Sequence, residues 1–351
     1  MNLISKKLLA WYKQQTHKFP WRSQTDIYKI WISEIMLQQT QVKTATPYYN
    51  IWTNKYKNVH DVANAKIDEI LKIWEGFGYY QRAHNIHDTA KIIINNYKGV
   101  FPSTYADLIK LKGIGDYTAS AILSIACHQM YPAIDANLKR VIARLMGITN
   151  FKQITSESKK HVLELMENYN PGEINQAFMD LGREICKIKS PKCQVCPLQH
   201  FCVAKKENLI SYYTFKKNQK KKPTYNVVVG LIWKKNKILI SKRKKKGLLG
   251  GLWELPGGKK HRSENNITCL EREINEELDI KVNVKHKIGI INHQYSHFGV
   301  KMTAYNCNYQ SGKLRPLVSD QVKWVTPKQI KNFPFPKATH KLFSLTELCN
   351  V

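Results

Sequence analysis

Leu111-Lys112-Gly113-Ile114-Gly115-Asp116-Tyr117-Thr118-Ala119 places two glycines one residue apart between apolar, helix-like stretches. Glycine lets backbone N–H groups turn outward at a helix start, and such a turn can hold a phosphate oxygen. A Gly-x-Gly pair is equally what an ordinary tight turn between helices looks like. Twenty residues past Gly115 stands Asp135, in Pro132-Ala133-Ile134-Asp135-Ala136-Asn137-Leu138-Lys139-Arg140-Val141. Alone it reads as a helix N-cap, and a cap also fixes the position of its carboxylate.

On either side of this stretch, apolar residues recur at intervals of three and four from Leu3 to about Lys205. Phe101-Pro102-Ser103 and Asn170-Pro171-Gly172 act as punctuation, which predicts an all-α region. Between Lys205 and Pro223 the pattern dissolves into Lys, Asn and Gln, ending in Lys220-Lys221-Lys222-Pro223, as a solvated linker does. Beyond Tyr225 the texture changes to β-rich runs, Asn226–Trp233, Lys237–Ser241, Lys285–Ile291 and Lys301–Asn306, with a helix predicted over Asn266–Leu278. The expected division is therefore 1–205, all-α; 206–224, a basic linker; and 225–351, a small α+β domain. No repeat of 20 to 50 residues is present.

The 351 residues suffice for a core in both parts, and the 43% hydrophobic content argues against disorder. A formal charge of +30, from 56 Lys and Arg against 26 Asp and Glu, makes a positive field that favours polyanions such as nucleic acid. A skewed genome base composition produces the same wealth of Lys, Asn and Ile, so the motifs must decide. No run approaches the roughly 18 apolar residues of a membrane span; Ala119–Cys127, the most apolar helical stretch, is far shorter. The start, MNLISKKLLAWYK, shows no h-region and no small-residue cleavage site. Export is not expected, and a cytoplasmic, bacterial-type, nucleoid-associated chain is.

Cys186, Cys193, Cys196 and Cys202 lie within 17 residues, separated by six, two and five positions. Four thiolates so close can converge on one soft-metal centre at little loop-closure cost. Disulfides are the plain alternative, disfavoured in a reducing compartment. Zinc is another, although Cys₄ zinc sites usually use paired short spacings.

Taken together, these motifs resemble a known superfamily. The six-two-five cysteine spacing is similar to the iron–sulfur loop of the endonuclease III superfamily of DNA glycosylases, and implies a 4Fe-4S cluster on these four residues. Lys187, Lys189 and Lys192 would then face DNA phosphates. The glycine turn with Asp135 resembles the helix-hairpin-helix and Gly/Pro…Asp signature, whose aspartate faces the sugar of an extruded nucleotide. Where glycosylase/lyases carry a nucleophilic lysine, Tyr117 stands here; where they tend to have His, Asn137 stands. Ser33-Glu34-Ile35-Met36-Leu37-Gln38-Gln39-Thr40-Gln41-Val42 resembles the segment that marks the MutY family of adenine glycosylases and carries its glutamate. Phe19-Pro20-Trp21-Arg22, Gly76-Phe77-Gly78-Tyr79-Tyr80 and Met179-Asp180-Leu181-Gly182 match further, so the likeness covers residues 8 to 205. Ala136 departs from it, where the family usually has glycine.

The resemblance implies a six-helix barrel plus an iron–sulfur helical domain, and a monofunctional enzyme, a monomer, that removes adenine lying opposite 8-oxoguanine or guanine in double-stranded DNA. Adenine leaves poorly unless a ring nitrogen is protonated. Glu34, among Trp31, Ile35 and Leu37, is expected to be desolvated and to hold that proton. Asp135 is expected to stay ionised and stabilise the cationic sugar. By resemblance, Tyr117 and Asn137 position the pair, Gln39 and Tyr79 hold the opened duplex, and Gly113, Gly115, Arg22 and Lys139 serve DNA binding. The base has to leave the stack for any of this. A glycosylase/lyase is the alternative within the superfamily.

Gly258, Glu264 and Arg272-Glu273-Ile274-Asn275-Glu276-Glu277-Leu278-Asp279-Ile280 follow the Nudix pattern G-x5-E-x7-R-E-U-x-E-E-x-G-U, with Asp279 in place of its second glycine. In Nudix hydrolases such glutamates bind Mg²⁺ against a pyrophosphate. The MutY resemblance implies instead a Nudix-like domain that reads 8-oxoguanine, and a Mg-dependent nucleotide pyrophosphatase is the alternative. His293-Gln294-Tyr295-Ser296-His297 resembles the family's Phe-Ser-His loop, which makes Tyr295, Ser296 and His297 the expected readers.

Overall fold

The computed structural model describes residues 2–15, 19–22, 24–150, 152–213, 222–346 and 348. Residues 214–221 of the expected linker lie outside them. By its own contacts the chain divides into two units, Met1–Asn64 with Asn85–Asn218, and Ala65–His84 with Gln219–Val351.

The first unit is helical: α1 (Asn2–Gln14), α2 (Ile27–Leu37), α3 (Val42–Lys55) and α4 (Val59–Asn64) come first. After α5 (Ile67–Ile73), which groups with the second unit, follow α6 (Gln81–Tyr97), α7 (Tyr105–Leu108), α8 (Asp116–Ala126), α9 (Ala136–Met146), α10 (Ile154–Met166), α11 (Pro171–Glu184) and α12 (Val203–Lys206). Local chemistry sets the boundaries that matter. Asp26 caps α2, and Asn170 caps α11 with Pro171 at its first position, where a missing N–H costs nothing. Leu138, Val141, Ile142 and Leu145 on α9 pack with Leu8 and Leu9 on α1, Val162 and Leu165 on α10, and Ile174, Phe178 and Leu181 on α11. This places the start of α9 on a rigid base.

In the second unit the strands β1 (Thr224–Lys234), β2 (Lys237–Lys242), β3 (Trp253–Glu254), β4 (Gly257–Lys259), β5 (Ile280–Gln294), β6 (Gly299–Gly312) and β7 (Gln321–Val325) form one sheet. Its main order is β3-β2-β1-β6-β5, with β4 on β1 and β7 on β2; β1 and β6 are parallel and the other pairs antiparallel. The middle of β1, residues 228–232, is buried on both faces. Val228 and Ile232 meet Cys269, Leu270, Ile274 and Leu278 of α13 (Asn266–Leu278). Val229 and Leu231 face Phe335, Leu342 and Phe343, the last two on α15 (Lys337–Phe343), which follows the short α14 (Pro327–Ile330). Asp279, at the position of the pattern's second glycine, closes α13 in the left-handed conformation at φ 57°, which a short acid tolerates. Among the described residues no helix is long and apolar enough to cross a membrane.

Candidate active site

Gly113 has φ +82°, and a Cβ there would sit 2.9 Å from the Asn85 side chain, so glycine is required. Gly115 caps α8 in extended backbone and has open space where a Cβ would be, so a ligand atom can approach the chain closely. Gln38, which the sequence did not single out, donates from Nε2 to Gly113 O at 3.3 Å and Thr118 Oγ1 at 3.2 Å. It ties the end of the helix that carries Glu34 to this turn. Gln39 beside it is exposed and held at φ +55°.

Glu34 is 3% exposed, and its Oε2 has no hydrogen-bond partner. Burial pushes its carboxyl up; Arg22 and the Tyr117 hydroxyl oppose this, and Asp135 adds to it. Tyr117 is itself pushed well up by burial and by Glu34 and Asp135, and its hydroxyl also reaches Met179 Sδ at 3.5 Å. Thus Glu34, Tyr117 and Asp135 feel one another's charge although they stand on three different elements.

Asp135 is half-buried and caps α9: Oδ1 accepts from Leu138 N at 2.6 Å and Oδ2 from Asn137 Nδ2 at 2.9 Å. The cap reading and the positioned-carboxylate reading coincide. Asn137 Oδ1 in turn accepts from Arg140 Nη2 at 3.0 Å. Helix α11 comes so close that a Cβ on Gly182 would lie 2.8 Å from Asn137 Cβ. Ala136 begins α9 exposed and without positive φ, so its methyl group is accommodated.

Arg22 is 8% exposed, and its guanidinium is taken up internally: Nη2 by Asp180 Oδ1 at 2.8 Å and Nη1 by Gln176 Oε1 at 2.9 Å. It is a buried positive charge beside Glu34 and Tyr117. Lys139 is half-buried one turn into α9.

Cys186, Cys193, Cys196 and Cys202 line one cavity with Arg144, Gln199 and Lys205, and form no disulfide. Among the described residues, no three His, Cys, Asp or Glu side chains converge closely enough to hold a single metal ion. Arg144, 1% exposed, donates from Nη1 to Lys187 O at 2.8 Å and Cys186 Sγ at 3.4 Å, and from Nη2 to Ile188 O at 3.2 Å. Arg140 Nε donates to Cys186 O at 2.8 Å. Two buried arginines one helical turn apart on α9 thus hold the root of the cysteine loop; their spacing on an amphipathic helix was the available signal. Lys187, Lys189 and Lys192 are exposed.

In the second unit, Tyr79 has φ +49°, and the Arg82 guanidinium lies 4.8 to 5.3 Å from the rings of Trp74, Phe77 and Tyr79. The turn between β5 and β6 is closed by Tyr295 N donating to Phe298 O at 2.8 Å, which leaves Ser296 and His297 exposed at its tip. Tyr295 is half-buried, stacked on Phe298 at 4.8 Å, and lines a cavity of about 400 Å³ with Tyr225, Glu254 and Glu277. His297 meets the edge of Tyr79 at 5.5 Å. Burial, with Glu254 and Glu273 nearby, pushes Glu277 up to about 7. Arg272 bonds Glu264, Glu273 and Glu276 together.

Residues 32–169 match the HhH-GPD superfamily of base excision DNA repair proteins, and residues 228–345 match the NUDIX domain. An adenine DNA glycosylase of Buchnera aphidicola subsp. Schizaphis graminum is 34% identical across 98% of this chain and 98% of its own length. The chain belongs to the adenine DNA glycosylase family. This glycosylase is also 36% identical to the human adenine DNA glycosylase, over 56% of this chain and 38% of that one. Among solved structures, a thermostable thymine-DNA glycosylase matches at TM-score 0.53 and 28% identity, covering 58% of this chain and 95% of its own. An endonuclease III–DNA complex, at TM-score 0.51 and 22% identity, shows the shared helical fold. The protein is a DNA glycosylase of base excision repair, with an HhH-GPD helical region followed by a Nudix-like sheet domain.

Proposed function

We propose that the enzyme is a monofunctional glycosylase that hydrolyses adenine from duplex DNA where it lies opposite 8-oxoguanine or guanine. The observation that carries this is Glu34: a buried carboxyl, pushed toward its protonated form, with one oxygen unpartnered, beside Tyr117 and Asp135. Its proton goes to a ring nitrogen of the everted adenine, and the electron pair of the breaking N-glycosidic bond goes to the base. The sugar left behind is cationic, and the Asp135 carboxylate, fixed by Leu138 N and Asn137, stabilises it electrostatically. A water oxygen then bonds to C1′ and releases a proton, leaving an abasic site. No amine follows the Gly113-Ile114-Gly115 turn, which supports hydrolysis over a lyase.

The turn and its glycines take a backbone phosphate, Gln39, Tyr79 and Lys139 hold the opened DNA, and Tyr295, Ser296 and His297 read 8-oxoguanine. The exposed Ser296 and His297 suit direct contact, and half-buried Tyr295 suits support of the turn. Arg22, sealed against Asp180, serves the site as a buried charge. The four cysteines hold a 4Fe-4S cluster: an all-thiolate set lining one cavity without disulfides suits a soft metal centre, and the six-two-five spacing departs from the paired short spacings of Cys₄ zinc sites. Such a cluster, when bound, braces the loop that displays Lys187, Lys189 and Lys192. Along the chain the division is residues 1–205, 206–224 and 225–351, with Ala65–His84 of the first span grouped with the sheet unit, and the enzyme acts as a monomer on chromosomal DNA in the cytoplasm.

Excision assays on duplexes with A opposite 8-oxoguanine, G or T test the reading. Preference for 8-oxoguanine is expected; equal rates on all three, or covalent borohydride trapping at excision efficiency, would overturn it.

A further inference from the structure

Lys242-Arg243-Lys244-Lys245-Lys246-Gly247-Leu248-Leu249 joins β2 to β3, and its cations divide into two sets. The first two are spent inside the protein: Lys242 Nζ on Asp68 Oδ1 at 2.5 Å, and Arg243 on Glu254 Oε2 at 2.5 Å and Leu248 O at 3.0 Å. The backbone is locked as well. Arg243 exchanges hydrogen bonds with Gly251 and Leu252, and a Cβ on Gly250 would lie 2.2 Å from Lys245 O. Lys244, Lys245 and Lys246 are exposed on this rigid base, followed by Gly247 at φ +112° and Leu248 at 54% exposure.

The position of this loop gives its charge a purpose. Arg243, Leu248 and Leu249 share the cavity wall with Tyr295 and Phe298, so the loop borders the Ser296–His297 turn. Its far end is held by His84 Nε2 on Gly250 O at 3.0 Å, five residues along the chain from Tyr79, whose ring touches His297. A preordered loop loses little conformational freedom on binding, and lysine recognises a phosphate as a point charge without reading sequence.

We propose that the Lys244–Leu248 loop is a phosphate clamp for duplex DNA, with Lys244 and Lys246 neutralising backbone phosphates of the strand that the Ser296–His297 turn reads. The assignment rests on the proposal that this unit reads DNA. Each neutralised phosphate contributes about 0.9 to the slope of log affinity against log salt on B-form DNA.

The test is fluorescence-anisotropy titration of the full-length protein with labelled duplex between 50 and 200 mM salt. A K244Q/K246Q variant is expected to lower the slope by about 1.8, at unchanged melting temperature, on lesion-bearing and undamaged duplex alike. K235Q/K237Q removes the same charge from exposed positions at the opposite end of β2 and should leave the slope unchanged. No slope change in the first variant, or equal changes in both, would overturn the clamp. Weakened binding of inorganic tripolyphosphate, with duplex binding intact, would also overturn it by making the loop a nucleotide-phosphate site. Loss of 8-oxoguanine preference in the wild type would sink the functional reading while leaving this slope comparison decisive for the loop.

Discussion

Glu34→Gln separates a proton donor from a structural acid because its two effects run in opposite directions. The side chain keeps its shape and its place among Trp31, Ile35 and Arg22, but can no longer release a proton to the base. Loss of a positioned acid typically costs 10²–10⁴-fold, roughly 3 to 5.5 kcal/mol of barrier, and the fall should appear in single-turnover excision with duplex affinity nearly unchanged. Stability should move the other way with pH. Burial raises the folded carboxyl above its unfolded value, so the native state binds more protons than the unfolded state between those two values. Wild-type stability therefore declines as pH climbs through that window, by about 1.4 kcal/mol for each unit of the rise. The Glu34→Gln variant lacks this contribution, while other raised carboxyls such as Glu277 act equally in both proteins. Denaturant melts from pH 5 to 8 should show the variant gaining on the wild type as pH increases, whatever constant offset the amide introduces. In the wild type, kcat/KM should fall as pH passes the raised value, since the acid form is the active one. Full excision by the variant, or a stability difference flat in pH, would refute the assignment.

Asp135→Asn should lower kcat by about 10²–10³-fold through loss of its charge, and thermal stability by about 0.5–1.5 kcal/mol, because Asn keeps the cap on Leu138 N but loses the hydrogen bond from Asn137 Nδ2. Gly182→Ala forces a methyl group against Asn137 at 2.8 Å; a loss of about 1–3 kcal/mol in denaturant melts, with reduced excision, is expected. Cys193→Ser should abolish the brown visible absorbance of a 4Fe-4S protein, and a colourless wild type carrying only zinc would refute the cluster.

What the sequence disclosed was whatever short-range chemistry determines. The Gly113–Gly115 turn, the Asp135 cap and the helix at Asn266–Leu278 are each fixed by residues within a few positions of one another, and the structure places each where expected. Strands β3, β4 and β7 escaped notice because two to five residues carry too little alternation to stand out. Arg22 shows a deeper limit. The resemblance assigns it to DNA binding, yet its partner Asp180 lies 158 positions away, and burial of that pair is a tertiary event with no local mark. The grouping of Ala65–His84 with the sheet is of the same kind. It depends on Glu75 accepting from Phe335 N at 2.7 Å and meeting His340 at 2.6 Å, and on Asp68 meeting Lys242.

Helix α9 explains how a cysteine loop can matter to chemistry it does not perform. Cys186 O accepts from Arg140, Arg140 also donates to Asn137, and Asn137 donates to Asp135, so three consecutive hydrogen bonds join the start of the cysteine loop to the Asp135 carboxylate. Arg140 and Arg144 are both buried, and their charges are answered largely by carbonyls of Cys186, Lys187 and Ile188. If the loop came apart, each guanidinium would lose those acceptors inside the protein, at a cost of about 1–3 kcal/mol per unmet group. The remedy open to α9 is to shift or fray toward water. Its first turn holds Asp135, whose carboxylate also gains from the positive end of the helix dipole. Whatever fills the cysteine cavity therefore sets the aim of the aspartate as well as the display of the loop's lysines. Damage to the quartet should depress turnover even on DNA bound at saturation.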